Sequence, residues 1–299
     1  MVQPCVSLAL CFAEARTNSA YGFVWYDTFR EDVNDGGCMD LTTLPGYVAG
    51  FPDELGLREL GGLVSADGRA VRHGLLYRGS ALTGLTEEQR ARIDALDLRF
   101  ILDLRALGET EGKPDYVPDG CEYVRIGGMA EEDGTEIDFS PAGIGRLQAK
   151  FAEYGPALMN ELYASMAFDN RAVHLLMERF VTGPVPLYFH CSAGKDRTGV
   201  CAAMLLMAFG VPDETVIQEY LLTNEYRARI INLPPDQIPD SVGENERANW
   251  AQINSVSADA LQAVLDAIDA RHPTREAYFA EEFGMDAETL ASLRDRYLE

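Results

Sequence analysis

Basic residues are scarce in this chain: 25 Lys and Arg stand against 48 Asp and Glu, a net charge of -23 over 299 residues. Such a chain repels polyanions, so nucleic acid and anionic membrane, which need basic patches, are set aside as partners. A small anion remains a reasonable ligand wherever a few cations converge. Histidine is rarer still, with His73, His174, His190 and His272 spread along the sequence. The six cysteines (Cys5, Cys11, Cys38, Cys121, Cys191 and Cys201) form no CxxC pair and no cysteine–histidine cluster at zinc spacing. Neither a disulfide framework nor a metal centre is expected, and a reducing cytosol is the simplest setting. No apolar run approaches the ~18 residues of a membrane span. The opening MVQPCVSLALCFAEART has no Lys or Arg before Arg16, so the charged start of a signal peptide is missing. A cytoplasmic protein without a cofactor is the expectation.

What is present supports a sizeable core: 47% of residues are hydrophobic and 24% charged. The length allows one large domain, or one domain with an extension. Val6, Leu8, Leu10 and Phe12 alternate with smaller residues, Tyr21 to Tyr26 is aromatic, and Asn34 to Gly37 reads as a turn. Residues 1–50 are therefore read as a small β-rich extension. Residues 51–299 alternate strands with helices. Strands are expected at Leu75 to Tyr77, Arg99 to Leu104, Cys121 to Ile126 and Val185 to Phe189. Thr86-Glu87-Glu88-Gln89 is a capping box that opens a helix. Helical segments cover much of 141–182, and an apolar helix runs from Thr198 to Phe209. The tail from Ser257 to Glu299 reads as two or three amphipathic helices, expected to cover a pocket. This alternation predicts an α/β fold with a mainly parallel sheet flanked by helices.

One stretch, FHCSAGKDRTG from Phe189 to Gly199, concentrates charge between two apolar elements. A strand, a glycine-bearing loop and a helix start form a natural anion cradle: amides point inward and the helix terminus adds positive potential. Arg197 at the helix start has the geometry to grip two oxygens of one phosphate. Cys191 lies at the base of the loop, where a helix N-terminus and neighbouring cations favour the thiolate. A thiolate beneath a bound phosphoryl group is an in-line nucleophile. Five residues separate Cys191 from Arg197, enough to wrap one tetrahedral anion, and Gly194 allows close approach. Thr198 is placed to donate its hydroxyl to the Cys191 sulfur. Cys201, inside the following apolar helix, reads as a packed core thiol.

The stretch resembles the signature loop of the cysteine-dependent protein-tyrosine phosphatases. Its HCSAGKDRTG string is similar to the Lys-Asp form found in bacterial tyrosine, dual-specificity and phosphoinositide phosphatases. GLRELGGL (Gly56 to Leu63) resembles the family's N-x-R-D-L-G-G segment, departing at Gly56 and Glu59. LLYRGSAL (Leu75 to Leu82), ILDLRALGE (Ile101 to Glu109), EYLLTNEY (Glu219 to Tyr226) and the C-terminal helical tail also resemble family features. The likeness spans about residues 50–299.

The resemblance implies that Cys191 forms a cysteinyl-phosphate and that Arg197 binds the phosphoryl oxygens. Ser192, Ala193, Gly194, Lys195 and Asp196 would line the loop through their amides, with Thr198 and Gly199 completing it. Lys195 would add charge for substrates with more than one phosphate, and His190 would orient the loop and tune Cys191. The general acid stays open. No W-P-D pattern occurs, since Trp25 and Trp250 lack it. Asp196 is the first candidate. Asp103 is the second, against its alternative as an ion-pair partner of Arg105. The acidic stretch Ala130 to Asp138 reads as a surface loop. The substrate is then a phosphorylated protein or a small phosphate ester, hydrolysed without metal. Competing readings are a phosphoinositide or inositol-phosphate phosphatase, a rhodanese-like sulfurtransferase and a non-catalytic phosphate-binding module.

Overall fold

The apolar runs of the sequence assemble into one five-stranded sheet. The computed structural model describes residues 41–51, 55–131, 133–140, 143, 157–239 and 242–299. The β meander expected within residues 1–40 and most of the helical stretch expected before Ala157 lie outside these residues. The boundary expected at residue 50 has backbone bonds across it: Tyr47 pairs with Arg58, and the Glu59 amide donates to the Gly46 carbonyl at 2.9 Å.

In chain order the strands are β1 (Arg58–Glu59), β2 (Leu76–Ser80), β3 (Phe100–Asp103), β4 (Glu122–Arg125) and β5 (Leu187–Cys191). Their order across the sheet is β1-β2-β5-β3-β4, with β1 antiparallel to β2 and the other neighbours parallel. The expected α/β fold with a mainly parallel sheet is what forms. The last strand in sequence is thus the middle strand in space. Register places Cys191 beside Ser80 and His190 beside Asp103. Every residue of β2, β3 and β5 is buried, because helices cover both faces.

Helices α1 (Glu87–Ala95), α2 (Leu107–Thr110), α3 (Ala157–Ser165), α4 (Arg171–Thr182), α5 (Asp196–Ala208) and α6 (Asp213–Tyr226) alternate with the strands or follow them. After them come α7 (Ala228–Ile231), α8 (Glu244–Ala248), α9 (Trp250–Asn254), α10 (Ala258–Arg271), α11 (Arg275–Phe283) and α12 (Ala287–Tyr297). Thr86 caps α1 with its reciprocal Gln89 bond, as its sequence demands. Alternation along the strands divides the core. Phe100, Leu102, Leu187, Phe189 and Cys191 join α4 and α5 on one face. Ile101 and Tyr188 join Leu57, Tyr77, Leu82 and Ile93 on the other. Past its charged first turn, helix α5 is apolar all round because it is buried all round.

The tail forms three helices, and the last of them packs away from the Cys191 loop. Tyr297 packs its ring on Phe180 and Phe209, and Arg294 bonds the Ala208 carbonyl at 3.0 Å. These partners lie at the C-terminal end of α5, opposite the loop that precedes it. Among the described residues, no helix is long and apolar enough to cross a membrane.

Candidate active site

Central strand β5 delivers Cys191 to the C-terminal edge of the parallel sheet, where α/β folds bind their ligands. Five residues later α5 begins at Asp196. The helix starts two residues before the apolar pattern does, so Asp196 and Arg197 occupy its first turn. Cys191 is a free, buried thiol.

The loop is held from outside by its carbonyls. Gly194 O accepts from Arg78 Nη2 at 3.0 Å, and Ala193 O accepts from Arg227 Nη1 at 3.2 Å. Ser192 O accepts the Ala81 amide at 3.5 Å. With these carbonyls turned outward, the amides of Ser192, Ala193, Gly194 and Lys195 donate to no described group. Four successive idle donors in one loop form a cradle for an anion. Gly194 has φ +66, and a Cβ there would lie 2.3 Å from the backbone of Gly79. Only glycine fits.

Arg78 is itself fixed. Its Nη1 meets Glu219 Oε2 at 2.7 Å, while Arg58 Nε meets the other carboxylate oxygen at 2.8 Å. All three side chains are buried. Burial and the neighbouring Arg58 charge lower Arg78 to about 10, against the pull of Glu219. Burial pushes the Glu219 carboxyl up, but the two arginines outweigh it and hold it below its ordinary value.

Arg197 meets Glu109 through two bonds, Nη1 to Oε2 at 2.6 Å and Nη2 to Oε1 at 2.8 Å. Nη1 also donates to Leu104 O at 3.0 Å, and the Phe139 ring lies 4.8 Å from the guanidinium carbon. Nε has no partner among the described residues, so the guanidinium keeps an unpaired donor. Burial opposes the Arg197 charge, but negative charge on the Cys191 sulfur and on Glu109 outweighs it and raises Arg197 above its usual value. Burial likewise pushes Glu109 up, and Arg197 reverses the direction. Glu109 Oε1 also accepts from Ser192 Oγ at 2.6 Å.

Lys195 Nζ lies 3.2 Å from Asp196 Oδ1 and donates to Ser255 O at 3.2 Å. The Tyr163 hydroxyl also donates to Asp196 Oδ1. His190 is buried under the loop, its Nδ1 3.1 Å from Cys191 O and its ring stacked on Tyr188 at 5.3 Å. Its Nε2 lies 3.5 Å from Asp115 Oδ2. Gly199 lies against Tyr220, whose ring would be 2.4 Å from an added Cβ.

Two expectations need correction. Thr198 does not bond the Cys191 sulfur: its buried hydroxyl has no partner among the described residues. Asp103 is the ion-pair partner of Arg105 and has no exposed surface from which to hand over a proton. Its oxygens receive the Arg105 amide at 2.9 Å, Arg105 Nη2 at 2.8 Å and the Tyr123 hydroxyl at 2.7 Å. Burial pushes Asp103 up, but Arg105 and the nearby His190 outweigh it and bring it to about 2. Asp103, Asp115 and His190 offer donor atoms within 4.8 Å of one another, yet Arg105 bonds both carboxylates and makes the cluster an ion-pair network. The acidic stretch at 130–138 is tied down at its end, with Glu136 on Arg125 at 2.8 Å and the Gly127 amide at 2.9 Å.

Glu109, Arg78 and Glu219 were missing from the sequence-derived site, although each lies in a segment singled out there. Arg227, Tyr163 and Asp115 carry no local signal.

The chain matches the tyrosine phosphatase family over residues 55–299. It is 30% identical over 241 residues to a Cupriavidus necator protein named as a tyrosine-protein phosphatase, covering 81% of this chain and 85% of that one. It is 26% identical over 260 residues to the triple specificity protein phosphatase PtpB of Mycobacterium tuberculosis, covering 76% of this chain and 94% of that protein. A tyrosine-protein phosphatase of Nostoc commune is 25% identical over 235 residues, covering 76% of this chain and 75% of the relative. A buried thiol under an amide-lined loop, an arginine braced by a glutamate and these relatives agree, and the chain belongs to the tyrosine phosphatase family.

Proposed function

We propose that this phosphatase hydrolyses phosphotyrosine, with dual specificity toward other phosphomonoesters, through a cysteinyl-phosphate and without metal. The observation that carries the reading is the set of four idle amides, Ser192 to Lys195, between Cys191 and the unpaired Nε of Arg197. A dianionic phosphoryl group satisfies all of them at once.

In the first step the Cys191 thiolate attacks phosphorus in line as the bond to the leaving oxygen breaks. Arg197 and the loop amides hold the equatorial oxygens, where charge spreads in the transition state. Asp196 gives its proton to the leaving oxygen. In the second step Asp196 takes a proton from water, the water oxygen attacks phosphorus, the S–P bond breaks and the thiolate returns with inorganic phosphate released. Asp196 fits the role better than Asp103, being partly exposed at the start of α5 where Asp103 is sealed beneath the loop. The Lys195 charge at the same helix start favours substrates of more than one phosphate.

The test is phosphate release, with EDTA present, from a phosphotyrosine peptide, a phosphoserine peptide and a soluble phosphoinositide. Release from phosphotyrosine that disappears in Cys191→Ser supports the reading. A phosphoinositide turned over far faster than either peptide would reassign the substrate. No release from any of the three would overturn the proposal and leave sulfur transfer or simple phosphate binding.

A further inference from the structure

Two buried phenols stand in line behind Asp196. Tyr220, on α6, is fully buried, and its hydroxyl lies 3.4 Å from that of Tyr163, on α3. Tyr163 is also buried, and its hydroxyl donates to Asp196 Oδ1. Lys195 Nζ lies 3.2 Å from the same oxygen. Asp196 Oδ2 has no donor among the described residues. The carboxyl is therefore unsymmetrical among the described residues: one oxygen is held by the Tyr163 hydroxyl and faces the Lys195 charge, and the other is unclaimed.

This asymmetry has a chemical consequence. A protonated carboxyl places its hydrogen on the oxygen that is not already accepting, because an incoming donor repels a hydroxyl hydrogen. We infer that Tyr163, itself oriented by Tyr220, is a positioning residue for Asp196, anchoring Oδ1 so that the transferable proton rides on Oδ2. The inference rests on Asp196 being the general acid and adds how its side chain is aimed. Tyr163 is suited to constant service as a donor, since burial and then the Asp196 charge raise it far above the ordinary phenol range. Tyr220 packs against Gly199 in the first turns of α5, which ties the phenol pair to the helix that carries Asp196.

The leaving group separates positioning from mere structural support. A poor leaving group such as phenoxide needs the proton in the transition state, whereas a strongly acidic phenol departs without it. General acid catalysis supplies roughly 10²–10⁴-fold, and loss of aim removes part of that. The experiment compares kcat/KM for phenyl phosphate and for an aryl phosphate with an acidic, electron-poor phenol in Tyr163→Phe, Tyr220→Phe and Asp196→Asn. Thermal melting confirms that each variant is folded. Expected are a large loss confined to phenyl phosphate in Asp196→Asn, a loss of about tenfold with the same selectivity in Tyr163→Phe, and a smaller one in Tyr220→Phe. If Asp196→Asn is selective while Tyr163→Phe loses nothing, or loses equally on both esters, the positioning role is overturned and the general acid stands. If Asp196→Asn is unselective, the general-acid assignment falls and the inference with it. Should Tyr163→Phe fail to fold, the selectivity of Tyr220→Phe decides by the same criteria.

Discussion

Glu109 binds Arg197 edge to edge, with bonds of 2.6 and 2.8 Å that occupy both terminal nitrogens. The pairing fixes the plane of the guanidinium and leaves Nε to the ligand. Glu109→Gln replaces one acceptor oxygen with an amide group that must face a donor, and it strands the buried Arg197 charge. A misplacement of about 1 Å at a reacting centre costs on the order of 10²-fold, so kcat/KM should fall by about that factor. Competitive inhibition by inorganic phosphate should weaken with it. An unchanged inhibition constant would show that Arg197 does not depend on Glu109 for its aim.

Much of this site was legible because its chemistry is crowded into one short string. The strand before the loop and the helix after it announce themselves as apolar runs, and PLYFH and GVCAAMLLMAF leave little choice. The start of α5 was misplaced because Asp196 and Arg197 occupy its first turn, and hydrophobic periodicity is blind to a charged first turn. Glu109 was within reach, eight residues past Ile101 in a segment already singled out. Arg58, Arg78 and Glu219 also lie in segments singled out, but their pairing was not legible. They are charged residues far apart in sequence, and charge in a string reads as solvated surface until folding brings the partners together. The choice between Asp103 and Asp196 also depends on burial, which no spacing reveals. The tail's amphipathic faces were visible, but not what they pack against.

Glu219 sits between Arg58 and Arg78, and Arg78 in turn grips the Gly194 carbonyl. Glu219→Gln therefore acts twice. It breaks a buried ion triad, which costs about 3–5 kcal/mol where one partner is left unpaired. It also frees Arg78, so the loop loses an external anchor. Urea denaturation should show the lower stability. If the folded loop alone binds phosphate, as proposed, added phosphate should restore part of it by linkage. Stability equal to wild type would mean that the triad relaxes without cost.

Two glycines, Gly194 in the loop and Gly199 in α5, differ in what opposes their replacement. At Gly194 the φ of +66 and the 2.3 Å approach to Gly79 backbone both forbid a Cβ. At Gly199 the obstacle is the Tyr220 ring at 2.4 Å, a side chain with some freedom to shift. Gly199→Ala should cost about 1–3 kcal/mol, the usual range for overpacking, and retain measurable turnover. Gly194→Ala should abolish turnover, because the backbone on both sides has no room to yield. Equal losses in the two variants would refute the distinction between a rigid and a compliant neighbour.

Asp103 offers a test by pH. Arg105, with His190 and Tyr123, overrides the effect of burial and brings its folded value to about 2, against 3.8 for a free aspartate. The sign follows from linkage: between those values the unfolded chain takes up the proton and the folded protein does not. Asp103 therefore contributes stability that is fully present above about pH 4 and is lost as pH falls toward 2, at up to about 1.4 kcal/mol per pH unit. Glu109, also held below its ordinary value, adds to the loss in the same direction. Carbon-detected NMR of the Asp103 carboxyl should show it still ionised at pH 3, while denaturation midpoints fall steadily below pH 4. A carboxyl that titrates near or above the ordinary aspartate value would mean that Arg105 does not hold it. Asp103 would then return as a rival to Asp196 for the proton that the leaving group needs.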